Sequence, residues 1–138
     1  LKAMSEPEVV FQMNLISRYR PDRIISVHSP LTMLDYDGPG DEHSAAESHA
    51  HQAANSLLIL MSKSAYGYRI TNYPYFPGSL GNWAGKEQNI PTYTLELPSS
   101  DSRKHREHWA LFRAAIFQAF NHDLKRGPDT SDEGFVKN

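Results

Sequence analysis

The sequence predicts an α/β protein in which helices flank a mainly parallel or mixed sheet. Segments with helical periodicity alternate with short apolar segments of strand character, in the order helix, strand, helix, strand, short helix, strand, helix. The 138 residues suffice for one compact domain, and 39% hydrophobic with 22% charged residues is an ordinary soluble balance. Three strands make a thin sheet, which suggests that further strands lie outside this sequence.

The first helix is predicted from Ser5-Glu6-Pro7-Glu8 to Arg20. Ser5 and Glu8 have the spacing of a capping box, and proline is tolerated in a first turn. Pro21 disfavours helix at the residue before it. The predicted apolar face contains Val9, Met13 and Ile16.

Residues 23–29 are predicted to form a buried, parallel strand. The segment is short, bounded by prolines and rich in β-branched residues: Ile24, Ile25 and Val27. His28 falls at its carboxyl end, where open α/β sheets bind ligands. By itself, this histidine is more often a core residue with satisfied hydrogen bonds than a ligand.

The middle of the chain is predicted as a loop, a helix and a short strand. The Asp-Gly-Pro-Gly sequence predicts a loop over residues 30–41. Asp35 and Asp37 are then either residues of a solvated turn or partners for a substrate amino group. A second capping box, Ser44 with Glu47, starts a helix that runs to about Lys63. Its predicted inner face is apolar and consists of Ala46, Ala50, Ala53, Leu57 and Met61. Residues 66–71 are predicted to be a strand.

Residues 72–98 combine an aromatic loop, a short helix capped by Ser79 and a strand. Tyr93, Leu95 and Leu97 alternate with polar residues at the period of two expected of a strand. Glu96 lies near the strand's end. A carboxylate there is either an exposed terminal residue or one held in a dry site for chemistry.

The last helix is predicted to run to about Lys125, with an apolar face of Trp109, Phe112, Ile116 and Phe120. Residues 1–126 are therefore expected to belong to one domain and residues 127–138 to a flexible tail.

Composition excludes several classes of function. A net charge of −2 offers no electrostatic footprint for nucleic acid or an anionic membrane, and no apolar run is long enough to span a bilayer. The absence of cysteine and of a secretory signal pattern favours the cytoplasm. The opening without methionine suggests part of a longer chain.

Several motifs together resemble the zinc carboxypeptidases of the carboxypeptidase A superfamily (M14 type), and most closely the murein peptide amidase group. They are residues 5–8, Arg20-Pro21-Asp22, residues 25–29 with His28, Pro77-Gly78-Ser79-Leu80-Gly81, and Thr94-Leu95-Glu96-Leu97-Pro98. The resemblance extends from about Ser5 to Leu124 and matches the C-terminal half of that catalytic domain.

The resemblance implies a role for each matching residue. His28 matches the third zinc ligand, and Glu96 matches the carboxylate that activates a zinc-bound water. Tyr73 matches a mobile tyrosine that contacts substrate, and Tyr75 competes for that role. The implied cofactor is Zn²⁺. The implied reaction is hydrolysis of an amide bond in a small peptide, such as a murein-derived γ-D-glutamyl-diaminopimelate peptide.

One departure from the family is serious. The family's first two zinc ligands come from a His-x-x-Glu motif, which this sequence lacks, and a catalytic zinc needs three protein ligands. The expected partner is therefore the upstream half of the same catalytic domain. Five other histidines, at positions 43, 49, 51, 105 and 108, are more often surface or helix-end residues than a second metal site.

Two alternatives stay open from the sequence. One is a zinc-dependent N-acyl amino acid deacylase of the succinylglutamate desuccinylase and aspartoacylase type. The other is an inactive half-domain fragment that lacks two zinc ligands. For the hydrolase hypothesis, His28 and Glu96 must share one edge and one face of the sheet.

Overall fold

The computed structural model describes residues 6–38, 49–74 and 76–124, without the side chains of residues 49–51. These residues contain three α-helices: α1 (Pro7–Tyr19), α2 (His49–Ser64) and α3 (His105–Asn121). The strands are β1 (Ile24–His28), β2 (Met33–Asp37) and β3 (Thr92–Glu96). A π-type segment, Asn82–Glu87, precedes β3, and one 3₁₀ turn, Ser102–Lys104, precedes α3.

The strands form one mixed sheet in the order β1-β3-β2. β3 is central, pairing in parallel with β1 and antiparallel with β2. The predicted α/β class with a mixed sheet flanked by helices is therefore confirmed. Among the described residues, no helix combines the length and the apolar composition that crossing a bilayer requires.

The register divides the sheet into two chemically different faces. Three rows of paired residues lie on one face, which we call the cleft face. From the carboxyl end of β3 inwards, these rows are His28 with Glu96 and Met33, then Ser26 with Thr94 and Asp35, then Ile24 with Thr92 and Asp37.

The opposite face of the sheet packs against α2 and α3. Tyr93 and Leu95 of β3 are fully buried there with Leu34 of β2. The Tyr93 hydroxyl donates to the backbone carbonyl of Ala54 in α2 at 3.1 Å. The helices contribute Leu57, Leu58, Met61, Phe112, Ala115 and Ala119 to this core. Burial of these apolar side chains is the main stabilising contribution within the described chain.

Two strand predictions are wrong. Residues 33–37, predicted as loop, form β2; the two aspartates, which are unfavourable in strands, hid an alternation with apolar residues that face the core. Residues 66–71, predicted as a strand, contain a turn with positive φ at Tyr66 and Gly67, and contribute one isolated bridge between Ile70 and Leu34.

The amino-terminal elements are more exposed than predicted. β1 is parallel as predicted, but it is an edge strand rather than a buried one, and the side chain of Val27 is 54% exposed. Helix α1 buries no residue, although its sequence is amphipathic. Periodicity identifies an apolar face but does not reveal what covers it.

The buried face of α3 also differs from the prediction. Phe112 is buried as expected, whereas Trp109 and Phe120 are more than half exposed. The face turned to the core instead carries Ala115 and Ala119. Small side chains let α3 approach α2 closely, which large aromatic side chains would prevent.

Two further predictions, the buried face of α2 and the cap at Ser79, agree with the structure. The predicted inner face of α2, with Ala53, Leu57 and Met61, is buried. Ser79 caps the short helical segment, since its hydroxyl accepts from the backbone N–H of Asn82 at 3.1 Å. The caps at Ser5 and Ser44, and the tail at residues 127–138, lie outside the described residues.

Candidate active site

A cavity of about 180 Å³ lies on the cleft face of the sheet. Its floor is formed by the three strands, and its wall by the loop and short helix between residues 73 and 82. His28 and Glu96 line this same cavity. The strand-end argument from the sequence therefore led to two side chains that share an edge and a face.

The carboxylate of Glu96 is almost completely buried. Its side chain is only 6% exposed, and its Oε2 accepts a hydrogen bond from the backbone N–H of Leu31 at 3.3 Å. Its backbone carbonyl accepts from the Tyr68 hydroxyl at 2.7 Å. Partial burial of Tyr68 raises the pKa of its phenol, so the hydroxyl keeps the proton that it donates.

His28 is exposed at the carboxyl end of β1. It is the register partner of Glu96, and its Nε2 lies 2.9 Å from the Ser26 hydroxyl oxygen. An imidazole in this position is accessible both to a metal ion and to a bound substrate. Ser26 precedes it on the same face, so the contact limits rotation of the ring.

The described residues do not by themselves make a zinc site. Nowhere in residues 6–38, 49–74 and 76–124 do three or more histidine, aspartate or glutamate side chains form a group that could hold a metal ion. His105 and His108 line a different pocket, beside α3. His43 and the side chains of His49 and His51 lie outside the description. His28 is thus the one imidazole that the described structure brings to the cleft.

Tyr73 lines the cleft on the loop side. Its ring stacks on Phe76, with centroids 5.6 Å apart and planes at 24°. Its backbone N–H donates to Asp35 Oδ1 at 3.0 Å, which ties the loop to the floor of the cavity. Tyr75, the competing candidate from the sequence, lies outside the described residues.

The sequence left Asp35 and Asp37 as either residues of a solvated turn or partners for a substrate amino group, and it gave no role to Asn82. All three line the cavity, and they are 6%, 8% and 5% exposed. The available signal was the alternation of the two aspartates with Leu34 and Tyr36, which is typical of a strand with two different faces.

Two glycines bring the short helical segment directly against Asp37. A Cβ atom at Gly81 would collide with the Asp37 carboxylate, and one at Gly85 would lie 2.5 Å from the Asp37 carbonyl oxygen. Only glycine allows such a close approach. Asn82 follows Gly81 and is therefore held beside this end of the cleft.

Comparison with known proteins identifies a similar solved structure. No protein-family model and no curated protein matches the sequence. The crystal structure of murein-tripeptide amidase MpaA from Escherichia coli O157 is similar, with 26% sequence identity and a TM-score of 0.55. The match covers 94% of this chain and 44% of that chain, so this chain spans less than half of that protein's length. The chain therefore shares its fold with part of that amidase.

Proposed function

We propose that this chain is the C-terminal half of the catalytic domain of a zinc-dependent amidase or carboxypeptidase, and that it contributes the residue that transfers protons. The observation that carries the proposal is the pairing of the buried Glu96 carboxylate with the accessible His28 imidazole in one cavity. The similarity to a murein-tripeptide amidase supports the reaction class. The substrate we propose is a small murein-derived peptide with a γ-D-glutamyl-diaminopimelate bond.

Glu96 is the general base and then the general acid in this proposal. It accepts a proton from water as the water oxygen bonds to the amide carbonyl carbon. It returns that proton to the nitrogen as the C–N bond breaks, which yields a carboxylic acid and an amine. The Leu31 N–H on Oε2 orients the carboxylate, and burial keeps competing water away from it.

His28 supplies one ligand for the zinc ion. Zinc, when bound, lowers the pKa of a coordinated water and polarises the substrate carbonyl. A catalytic zinc takes three protein ligands, and the described cleft offers a single imidazole. We assign the remaining ligands to an upstream segment of the same catalytic domain, in the region that this chain does not match in the amidase structure.

Exposed apolar surface supports that assignment. Within the described part of the chain, β1 is an edge strand, and its outer side pairs with no other strand there. α1 leaves Val9, Phe11 and Leu15 substantially exposed. An upstream segment that extends the sheet from β1 would cover these residues and bring its own ligands to His28.

Tyr73 is the proposed substrate contact on the loop. Its ring already lies on the cleft wall, and its stacking on Phe76 gives it a defined resting position. From there it can close over a bound peptide without rearrangement of the strands.

The test is an amide-hydrolysis assay on the complete zinc-loaded enzyme, with γ-D-glutamyl tripeptides compared against N-acyl amino acids. We expect turnover of the tripeptides. Glu96→Gln should retain zinc but lower kcat by about 10²- to 10⁴-fold, as expected when a general base is lost. Glu87→Gln, which removes an exposed carboxylate outside the cleft, is the matched control and should retain activity.

Two outcomes contradict the proposal. Turnover of the N-acyl amino acids alone would assign the deacylase function instead. Full activity of Glu96→Gln would remove its proposed role. A zinc titration of the 138-residue chain adds a check on His28: tight 1:1 binding would mean that the chain contains a complete ligand set and that the upstream ligands are not needed.

A further inference from the structure

The connection between β1 and β2 contacts the Glu96 carboxylate directly. It consists of residues 29–32, between His28 at the end of β1 and Met33 at the start of β2. The backbone N–H of Leu31 donates to Glu96 Oε2 at 3.3 Å. That distance is at the long limit for such a hydrogen bond, so a small outward shift of the connection would break it.

The same connection contains strained backbone. Thr32 has a φ of 56°, a left-handed conformation that a β-branched residue rarely adopts. Backbone in such a conformation persists only where neighbouring contacts hold it. The contacts that hold residues 29–32 therefore also determine where the Leu31 N–H lies.

Two consecutive side chains, those of Tyr68 and Arg69, provide such contacts. The Arg69 guanidinium donates from Nη2 to the Leu31 carbonyl oxygen at 3.1 Å. The Thr32 side chain hydrogen-bonds to the Tyr68 phenol, which donates its own proton to the Glu96 carbonyl. Arg69 thus holds the residue that contacts the carboxylate, and Tyr68 holds the strained residue beside it.

Both side chains extend from backbone that is itself attached to β2. The N–H of Leu34 donates to the Arg69 carbonyl at 2.8 Å, and the N–H of Thr71 donates to the Leu34 carbonyl at 2.9 Å. Arg69 therefore binds β2 through its backbone and the connection through its side chain. Arg69 is exposed and lies outside the apolar core, so its replacement should change the stability of the fold little.

We infer that Arg69 is a positioning residue for Glu96. Its guanidinium holds the Leu31 carbonyl, which keeps the Leu31 N–H directed at the carboxylate that takes the proton from water. A guanidinium offers a rigid planar fork of donors, whereas a lysine ammonium is a point charge on a flexible stem. The effect of Arg69 on turnover rests on the proposed amidase function, but its effect on the Leu31 N–H does not.

The first test measures hydrolysis of a γ-D-glutamyl tripeptide by the complete zinc-loaded enzyme. Arg69→Met keeps a long side chain without its donors, and kcat should fall by about 10- to 100-fold, the scale of a misplaced catalytic group. KM should stay within about twofold, because the substrate contacts are unchanged. Arg69→Lys should recover part of the loss. Arg113→Met, which removes an exposed arginine of α3, is the matched control and should retain activity.

A double variant separates positioning of the carboxylate from a general loss of structure. If Arg69 acts through Glu96, adding Arg69→Met to Glu96→Gln should lower kcat by less than about a further twofold. A full additional loss in the double variant, or an unchanged kcat in Arg69→Met alone, would overturn the inference and leave the amidase proposal intact.

NMR of the complete, isotope-labelled enzyme tests the contact without any need for turnover. The backbone amide signal of Leu31 reports on its hydrogen bond to the carboxylate. Glu96→Gln should move this signal because it removes a charged acceptor, and Arg69→Met should move it in the same direction, whereas Arg113→Met should leave it in place. If the unaltered enzyme hydrolyses no peptide, the proposed function fails and this measurement decides alone: a common shift supports the positioning role, and an unmoved Leu31 signal refutes it.

Discussion

The two faces of β3 carry different properties of the molecule. On the side of α2 and α3, Tyr93 and Leu95 are completely buried among apolar side chains. On the cleft side, Thr94 and Glu96 face polar neighbours and an open cavity. One strand of five residues thus contributes alternately to the core and to the candidate site.

Along β3, the odd-numbered residues that face the helices contribute to stability, and the even-numbered residues that face the cleft are the candidates for chemistry. The helix-covered face buries Tyr93 and Leu95 in an apolar core, whereas the cleft retains buried carboxylates that no apolar packing explains. Buried charged groups are costly for stability and are commonly retained for function. Substitutions on the two faces should therefore affect different measurements.

The largest effect on stability should come from Leu95→Ala. Leu95 is fully buried, so the loss of its side chain should lower the free energy of unfolding by about 2–5 kcal/mol. Val27→Ala is the matched control, since Val27 pairs with Leu95 on the same face but is largely exposed, and should cost no more than about 0.5 kcal/mol. Chemical denaturation measures both.

The same pair tests the proposed upstream segment. If that segment covers β1, Val27→Ala should destabilise the complete protein more than it destabilises the 138-residue chain. Equal effects in both forms would show that Val27 remains exposed and would contradict the proposed cover.

The next largest effect should come from Gly85→Ala. Its new methyl group would meet the Asp37 backbone carbonyl, which cannot move without distorting β2, so we expect a loss of about 1–3 kcal/mol. Gly81→Ala meets the Asp37 carboxylate instead, which can rotate. Gly81→Ala should therefore destabilise the chain less than Gly85→Ala. Thermal unfolding of the two variants checks this, and a larger stability loss for Gly81→Ala would contradict it.

The smallest expected effect is a pH dependence that arises on the core face. Burial raises the pKa of the Tyr93 phenol well above its ordinary value of 10.0, with a smaller contribution from Tyr36. The folded chain then keeps this proton after the unfolded chain has lost it. The contribution to stability is complete below pH 10 and falls above it, by up to about 1.4 kcal/mol per pH unit until the folded group ionises.

Tyr93→Phe should reduce this alkaline slope, although it also removes the hydrogen bond to Ala54 and so lowers stability at neutral pH. Tyr66→Phe, which removes a highly exposed phenol, is the control for the loss of one tyrosine. Denaturation midpoints between pH 8 and pH 11 provide the measurement. An unchanged slope in Tyr93→Phe would assign the pH dependence to other groups.

The sequence was most informative where local pattern and burial agree. The buried face of α2 follows from the spacing of Ala53, Leu57 and Met61, and β3 follows from strict alternation. The shared position of His28 and Glu96 was available from strand ends alone, because parallel strands present their carboxyl ends at one edge.

The sequence was least informative where tertiary contacts decide. The aspartates of β2 lower its strand propensity, so that only the register reveals that they form the cleft floor. In α3, the aromatic spacing coincides with a helical face, but the close approach of α2 selects the alanines instead. Asn82 enters the site through two close glycine contacts that no local pattern encodes.

Tyr68 connects the two sides of the sheet through one side chain. Its ring meets Phe112 of the core edge-on, with centroids 4.7 Å apart, while its hydroxyl ends on the carbonyl of Glu96. Any repacking around Phe112 is thereby transmitted to the backbone that carries the catalytic candidate. A screen for inactive variants should consequently recover changes deep between the helices, and such hits would be wrongly read as simple folding defects.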